Sequence, residues 1–225
     1  MIGFVVAMEK EASHFLSVAE IKEERTIAMK KVYIGEFCGK SFALIVGGIG
    51  KVNAGMATQI MIDNFKPKMI INFGTAGGKD ATHQKVGDVA LIDRICQYDF
   101  DLSEIDDVNI GYMQDYDAIY FKCAYEKYKG DAFVVSTLAS ADRFTTKTWA
   151  LEAIAGLGAT VCDMEAGAVG QVAYSNGVDF YVLKLLTDVS GSEEESIFGQ
   201  YLNSVKAVCE KIPNAIRELI LHIEE

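Results

Sequence analysis

Arginine is scarce in this 225-residue chain: Arg25, Arg94, Arg143 and Arg217 are the only four. A site built to clamp a tetrahedral anion usually draws on several, because the guanidinium fork meets phosphate or sulfate oxygens two at a time. Histidine is almost as rare. His14, His83 and His222 stand far apart without zinc-ligand spacing, which argues against a metal centre. The five cysteines, Cys38, Cys96, Cys123, Cys162 and Cys209, are odd in number and never form a Cys-x-x-Cys pair. They read as reduced, buried small hydrophobes. No apolar run approaches the roughly 18 residues that a membrane-spanning helix needs, and MIGFVVAM lacks a basic lead-in. A cytoplasmic location is the resulting expectation. Basic charge is also in deficit. Lys and Arg number 21 against 32 Asp and Glu, a net charge of −11, which argues against nucleic acid or an anionic membrane as partner. With two prolines and no linker-like, repeated or low-complexity stretch, residues 1–225 read as one domain.

What is present is an alternation of apolar strands and helices. Ile2 to Ala7, Thr26 to Phe37, Ser41 to Val46, Lys68 to Phe73 and Val86 to Cys96 read as strands. So do Phe133 to Leu138, Ala159 to Asp163 and Asp179 to Leu186. Helices are expected over Ala12 to Ala19, Val52 to Phe65, Ala118 to Tyr128, Thr145 to Ile154 and Glu165 to Ser175. A closing helical stretch should break at Pro213. The fold class implied is α/β, a single domain with a central mixed β-sheet flanked by helices on both faces.

In such sheets ligands collect at the carboxyl ends of strands. Glu11, Glu165 and Asp188 each fall at or just beyond the end of a different strand. A carboxylate placed there can serve as general acid or base if burial raises its pKa. Each also has a purely structural reading. Glu11 and Glu165 suit the first turn of a helix, Asp188 suits a cap or turn, and GTAGG (Gly74 to Gly78) suits a tight turn. No G-x-G-x-x-G fingerprint follows a strand and no Walker A sequence occurs, so neither a dinucleotide nor a nucleoside-triphosphate loop is indicated.

Taken in order, AMEKE (Ala7 to Glu11), GGIGKVNAG (Gly47 to Gly55), INFGTAGG (Ile71 to Gly78), KVGD (Lys85 to Asp88), SADRF (Ser140 to Phe144), DMEAGAV (Asp163 to Val169) and LLTDVSG (Leu185 to Gly191) span nearly the whole chain. Together they resemble the nucleoside phosphorylase/nucleosidase superfamily, and most closely its 5′-methylthioadenosine/S-adenosylhomocysteine nucleosidases. The resemblance implies hydrolysis of the bond between adenine and a 5′-thio-substituted ribose, with no metal or organic cofactor, by a homodimer. It implies Asp188 as proton donor to purine N7 with Thr187 beside it, and Glu11 as the group that activates water. Glu165 would hold the ribose hydroxyls, Met164 would pack on the sugar and Phe144 on the base. Met8 and Ile49 would line the sugar and 5′ side, and Thr75 and Gly77 the pocket floor. Phe198, with Leu102 and Ile105, would line the 5′-tail pocket. The acidic stretch after Tyr98, DFDLSEIDDVNIGYMQ, departs most from that pattern. Asp163 receives no role. Rival readings are a purine nucleoside phosphorylase of the same fold, a nucleosidase for another purine nucleoside (5′-deoxyadenosine or a futalosine-like substrate), and a non-catalytic nucleoside-binding module.

Overall fold

The computed structural model describes residues 1–144, 148–190 and 196–224. Its first half runs β1 (Ile2–Val6), α1 (Glu9–Leu16), β2 (Glu20–Ile27), β3 (Lys30–Phe37), β4 (Lys40–Val46), α2 (Lys51–Phe65), β5 (Met69–Gly78) and β6 (Val89–Gln97). Then come α3 (Ser103–Asp106), β7 (Phe121–Lys122), β8 (Val134–Ser140), α4 (Thr148–Gly156), β9 (Val161–Asp163), α5 (Ala166–Ser175), β10 (Asp179–Val189), α6 (Ile197–Cys209) and α7 (Ile212–Leu221). The ten described strands join in one mixed sheet. β1 lies between β4 and β5, parallel to both, and is buried along its whole length, as a strand covered on both faces must be. β5 continues parallel to β10. From β10 the path runs through β6, β8 and β9 and returns to β5, so five strands close on themselves. Closure removes the exposed edges that an open sheet would leave there.

Three local expectations are corrected. The segment from Thr26 to Phe37 is not one strand: β2 and β3 form a hairpin turned at Ala28 and Met29, which have φ of 47° and 64°. A two-residue turn with both φ positive matches the strand twist, yet neither residue is the usual Gly or Asn, so the sequence does not announce it. The helix expected over Ala118 to Tyr128 is replaced by β7 and a 3₁₀ turn at Tyr125–Lys127. Phe121 and Cys123 are buried while Lys122 between them is exposed, a period of two rather than 3.6. GTAGG is not a turn either. β5 runs straight through it, with Gly77 paired to Asp188 on one side and Cys162 on the other. Of the helix expected from Thr145, residues 145–147 lie outside the described residues, and α4 covers the rest. The break at Pro213 is where α7 begins.

Two packing features set the site. Phe15 on α1 is fully buried against Phe4, Phe42 and Phe73, with ring centroids 4.9, 5.2 and 5.9 Å away. Edge-to-face and tilted contacts of this kind lock α1 onto the sheet, and Glu11 lies one turn before Phe15 on the same face. On the other side α5 is made of small residues because it lies directly on the strands. A methyl group on Gly167 would come within 2.7 Å of Gln97, and one on Gly170 within 2.7 Å of Ile95. That close seat fixes Glu165, which caps α5.

Candidate active site

Glu11 occupies the first turn of α1 and is 2% exposed. Its Oε1 accepts hydrogen bonds from the Thr75 backbone N and the Thr75 Oγ1, both at 2.8 Å. Its Oε2 accepts from the Met8 backbone N at 3.1 Å. The carboxylate reaches Thr75 only because Gly74 has no side chain: a Cβ there would sit 2.9 Å from Glu11 Oε1. Burial pushes the Glu11 pKa up, opposed by the Thr75 bonds, the Lys184 charge and the Met8 N–H.

Glu165 stands at the carboxyl end of β9, 8% exposed, and its Oε1 accepts from the Gly50 backbone N at 2.8 Å. Gly50, with φ of 97°, turns the chain so that this N–H faces the carboxylate. Burial first, and the neighbouring Asp163 charge second, push the Glu165 pKa up to about 7, against the pull of Lys184 and the Gly50 N–H. Asp163, to which the sequence assigned nothing, is a structural hub. Its Oδ2 pairs with Lys184 Nζ at 2.9 Å and accepts from Ala166 N at 2.9 Å, while Oδ1 accepts from Ser140 Oγ at 2.5 Å. Burial works against the Lys184 charge, but Asp163, Glu165 and Glu11 outweigh it and hold its pKa above the usual lysine value.

Breaking a buried ion pair strands the remaining charge. Lys184→Met should therefore destabilise the fold by about 3–5 kcal/mol, read as a fall in denaturation midpoint. Adding Asp163→Asn should recover part of that loss, because the stranded charge is gone while an acceptor for Ser140 or Ala166 remains. No recovery in the double variant would show that the pair's electrostatics is not the cause.

Asp188 lies on β10, 3% exposed, and its Oδ1 accepts from Thr187 Oγ1 at 3.0 Å. A methyl group on Gly77 would lie 2.8 Å from Asp188 Oδ2, 3.3 Å from Lys79 Nζ and 3.4 Å from Cys162 Sγ, so the bare glycine keeps the space between these groups open. Burial raises the Asp188 pKa, opposed by the Lys79 charge and the Thr187 hydroxyl. Glu11 crowds Gly74 and Asp188 crowds Gly77, positions on β5 three residues apart, hence about 10 Å along an extended strand. Both carboxyl groups line the same cavity.

Eleven of the thirteen residues singled out from the sequence line one cavity of about 500 Å³: Glu11 and Asp188, then Met8, Ile49, Thr75 and Gly77, then Phe144, Met164, Glu165, Thr187 and Phe198. Phe144 and Phe198 form its mouth, half exposed, with ring centroids 6.4 Å apart. Leu102 and Ile105 are not part of this lining. α3 holds Ile105 out to solvent at 76% exposure, its start tied down by the Ser103 N bond to Asp101 Oδ1 at 3.0 Å. Lining residues not foreseen include Lys79, Arg143, Cys162 and Tyr201. Tyr201 was legible as the residue three beyond Phe198 on a helix, whereas Lys79, just past GTAGG, carried no local signal. Arg143 lies over the Trp149 ring, 5.0 Å from its centroid. The acidic stretch after Tyr98 has a local role through Asp99, which pairs with Lys51 and accepts from the Asp142 backbone N at 2.9 Å. Asp142 Oδ1 accepts in turn from Lys51 N at 2.6 Å. The loop carrying Arg143 and Phe144 is thereby tied to the start of α2.

The profile described as the phosphorylase superfamily matches residues 1–222. A 5′-methylthioadenosine/S-adenosylhomocysteine nucleosidase of Marinomonas sp. (strain MWYL1) is 32% identical over 212 residues, covering 90% of this chain and 91% of that relative. The chain belongs to the 5′-methylthioadenosine/S-adenosylhomocysteine nucleosidase family. Members and neighbours of this nucleosidase family share the fold at low identity. The S-adenosylhomocysteine nucleosidase of Streptococcus pyogenes, in complex with 5-methylthiotubericidin, superposes with a TM-score of 0.87 at 23% identity, covering 100% of this chain and 97% of that one. The futalosine hydrolase of Helicobacter pylori superposes with a TM-score of 0.86 at 22% identity, covering 99% and 97%. The nucleosidase fold therefore does not by itself choose the substrate, and the choice falls to the side chains around the cavity.

Proposed function

We propose that this chain hydrolyses the N-glycosidic bond of 5′-methylthioadenosine, S-adenosylhomocysteine or a close adenine nucleoside, releasing adenine and the 5′-substituted ribose. The observation that carries this reading is the convergence of Glu11, Glu165 and Asp188, all buried, on one cavity. Asp188 protonates N7 of the purine, which makes the base a better leaving group. Thr187 orients its carboxyl through the bond to Oδ1. Glu11, held by Thr75 and Met8, takes the proton of the attacking water. The transition state resembles an oxocarbenium ion, and the negative charges of Glu11 and Glu165 stabilise the positive charge that develops on the sugar. Glu165 also binds the ribose hydroxyls. Met164 packs on the sugar, Phe144 on the base, and Met8 and Ile49 along the sugar toward the 5′ group. Thr75 and Gly77 floor the pocket, and Phe198 closes the 5′ end.

Water rather than phosphate is the second substrate. The cation whose charge acts on Glu11 is Lys184, which is fully buried and already paired with Asp163. Arg25 is bound to Glu23, and Arg94 lies over the Tyr120 ring. Arg143, the one arginine in the described lining, lies over the Trp149 ring beside Phe144, so a phosphate next to Glu11 and Glu165 would meet two carboxylates. Adenine release should proceed at the same rate with and without inorganic phosphate, and the sugar product should be free 5′-substituted ribose. A requirement for phosphate, with ribose 1-phosphate as product, would overturn the hydrolase reading.

Residues 1–225 act as one domain in this reading, in the cytoplasm, in the salvage of methionine from its thio-nucleosides. The active form is a homodimer. Val52, Ile105 and Tyr174 leave apolar surface exposed at 83, 76 and 56%, surface that a second copy would cover.

A further inference from the structure

Asp188 does not face the base end of the cavity alone. Lys79 follows β5 directly, lines the same cavity, and brings its Nζ to the same open space above Gly77 that Asp188 Oδ2 borders. Its Nζ donates to Ser190 Oγ at 3.1 Å. Its backbone is pinned, with N donating to Thr160 O at 2.8 Å and to Gln84 Oε1 at 3.0 Å. The cation is therefore placed by the fold rather than left to sweep the solvent.

The chemistry of the purine edge gives this placement a meaning. Every purine presents N7 as an acceptor. Beside it adenine presents an amino donor, whereas hypoxanthine and guanine present the O6 acceptor. An ammonium group has three donors and no acceptor. Toward an adenine amino group Lys79 has nothing to offer and stays on Ser190. Toward O6 it supplies a charge-assisted hydrogen bond, next to the carboxyl that addresses N7.

We infer that Lys79 makes this site accept 6-oxopurine nucleosides as well as adenine nucleosides, by donating from Nζ to the O6 atom of the base. The inference rests on the reading of the cavity as a nucleosidase site. The reaction is otherwise the same. The C1′–N9 bond breaks with its electron pair passing to the purine, the Asp188 proton goes to N7, and the water oxygen bonds to C1′ as its proton goes to Glu11. Nothing is oxidised or reduced, and the base leaves neutral. Part of the electron density that reaches the ring is carried on O6, so the Lys79 contact strengthens toward the transition state.

The test compares 5′-methylthioinosine with 5′-methylthioadenosine. The wild-type chain should cleave the inosine form with a kcat/KM within about tenfold of the adenosine form, and Lys79→Met should lower the inosine-to-adenosine ratio by about tenfold to a hundredfold, the range of one charge-assisted bond. Lys79→Gln, which keeps a neutral donor, should fall between the two. Cleavage of the adenosine form alone, or a ratio that Lys79→Met leaves unmoved, would overturn the inference while leaving the nucleosidase reading intact. If neither nucleoside is cleaved, the nucleosidase reading fails. Calorimetric binding of free hypoxanthine and adenine then decides the role of Lys79 separately: a selective loss of hypoxanthine binding in Lys79→Met supports it, and an equal change for both bases overturns it.

Discussion

Asp188→Asn should reduce kcat for 5′-methylthioadenosine by about 10²–10⁴-fold, the usual worth of a positioned general acid. The amide keeps the shape of the carboxyl and an acceptor for Thr187 Oγ1, and it can still donate to N7. What it cannot do is transfer a proton. The effect should therefore appear in kcat, with KM shifted by much less. The fold should survive, since the substitution removes a carboxyl whose ionised form burial disfavours. Two measurements check this together: initial rates of adenine release and the thermal midpoint. A 5′-methylthioriboside with a 4-nitrophenolate leaving group, which departs without protonation, should lose far less in the variant. Unchanged turnover of the adenine nucleoside, or an equal loss on both substrates, would remove Asp188 from the role of acid.

The layout of the chain was largely legible in its pattern of apolar runs. β1, α2, β8, α5 and β10 all lie within a few residues of where periodicity places them, because each is long or buried enough for packing to agree with local preference. The misses have specific causes. The β2–β3 turn uses Ala28 and Met29 at positive φ, a conformation that tertiary pairing imposes against residue preference. GTAGG reads as a turn because glycines usually interrupt strands. Here they extend one, since side chains on Gly74 and Gly77 would occupy the space of Glu11 and Asp188. The candidate site was legible as a set of residue types at strand ends, but its second layer was not. Lys184 reads as one polar residue inside an apolar strand, and nothing in the sequence says that it will meet Asp163 beneath the floor of the cavity. Lys79 is hidden for a related reason: its importance comes from β10 lying beside β5, a long-range pairing that local pattern does not encode.

Glu11→Gln separates binding from chemistry in the same cavity. Glu11 accepts three hydrogen bonds, two from Thr75 and one from Met8. A glutamine keeps one oxygen for Thr75, but its NH₂ then faces the Met8 N–H, donor against donor. This clash should cost about 1–3 kcal/mol of stability, the scale of one buried unsatisfied group, partly offset by removal of a carboxylate that burial disfavours. The active-site consequence is larger. An amide cannot take a proton from water, so kcat should fall by about 10²–10⁴-fold while KM changes little. The pH profile distinguishes this from mere distortion. In the wild type, Glu11 must be ionised to act, so activity should fall as pH drops through its pKa. Burial places that limb above the ordinary carboxylate value of 4.5. In Glu11→Gln the acid limb should drop from a two-proton to a one-proton slope, because only Glu165, whose pKa burial and the Asp163 charge push up to about 7, is left to titrate. A variant that keeps the acid limb with wild-type shape, or that loses binding as much as turnover, would show that the water is activated by another group and that Glu11 serves only to hold α1 against β5.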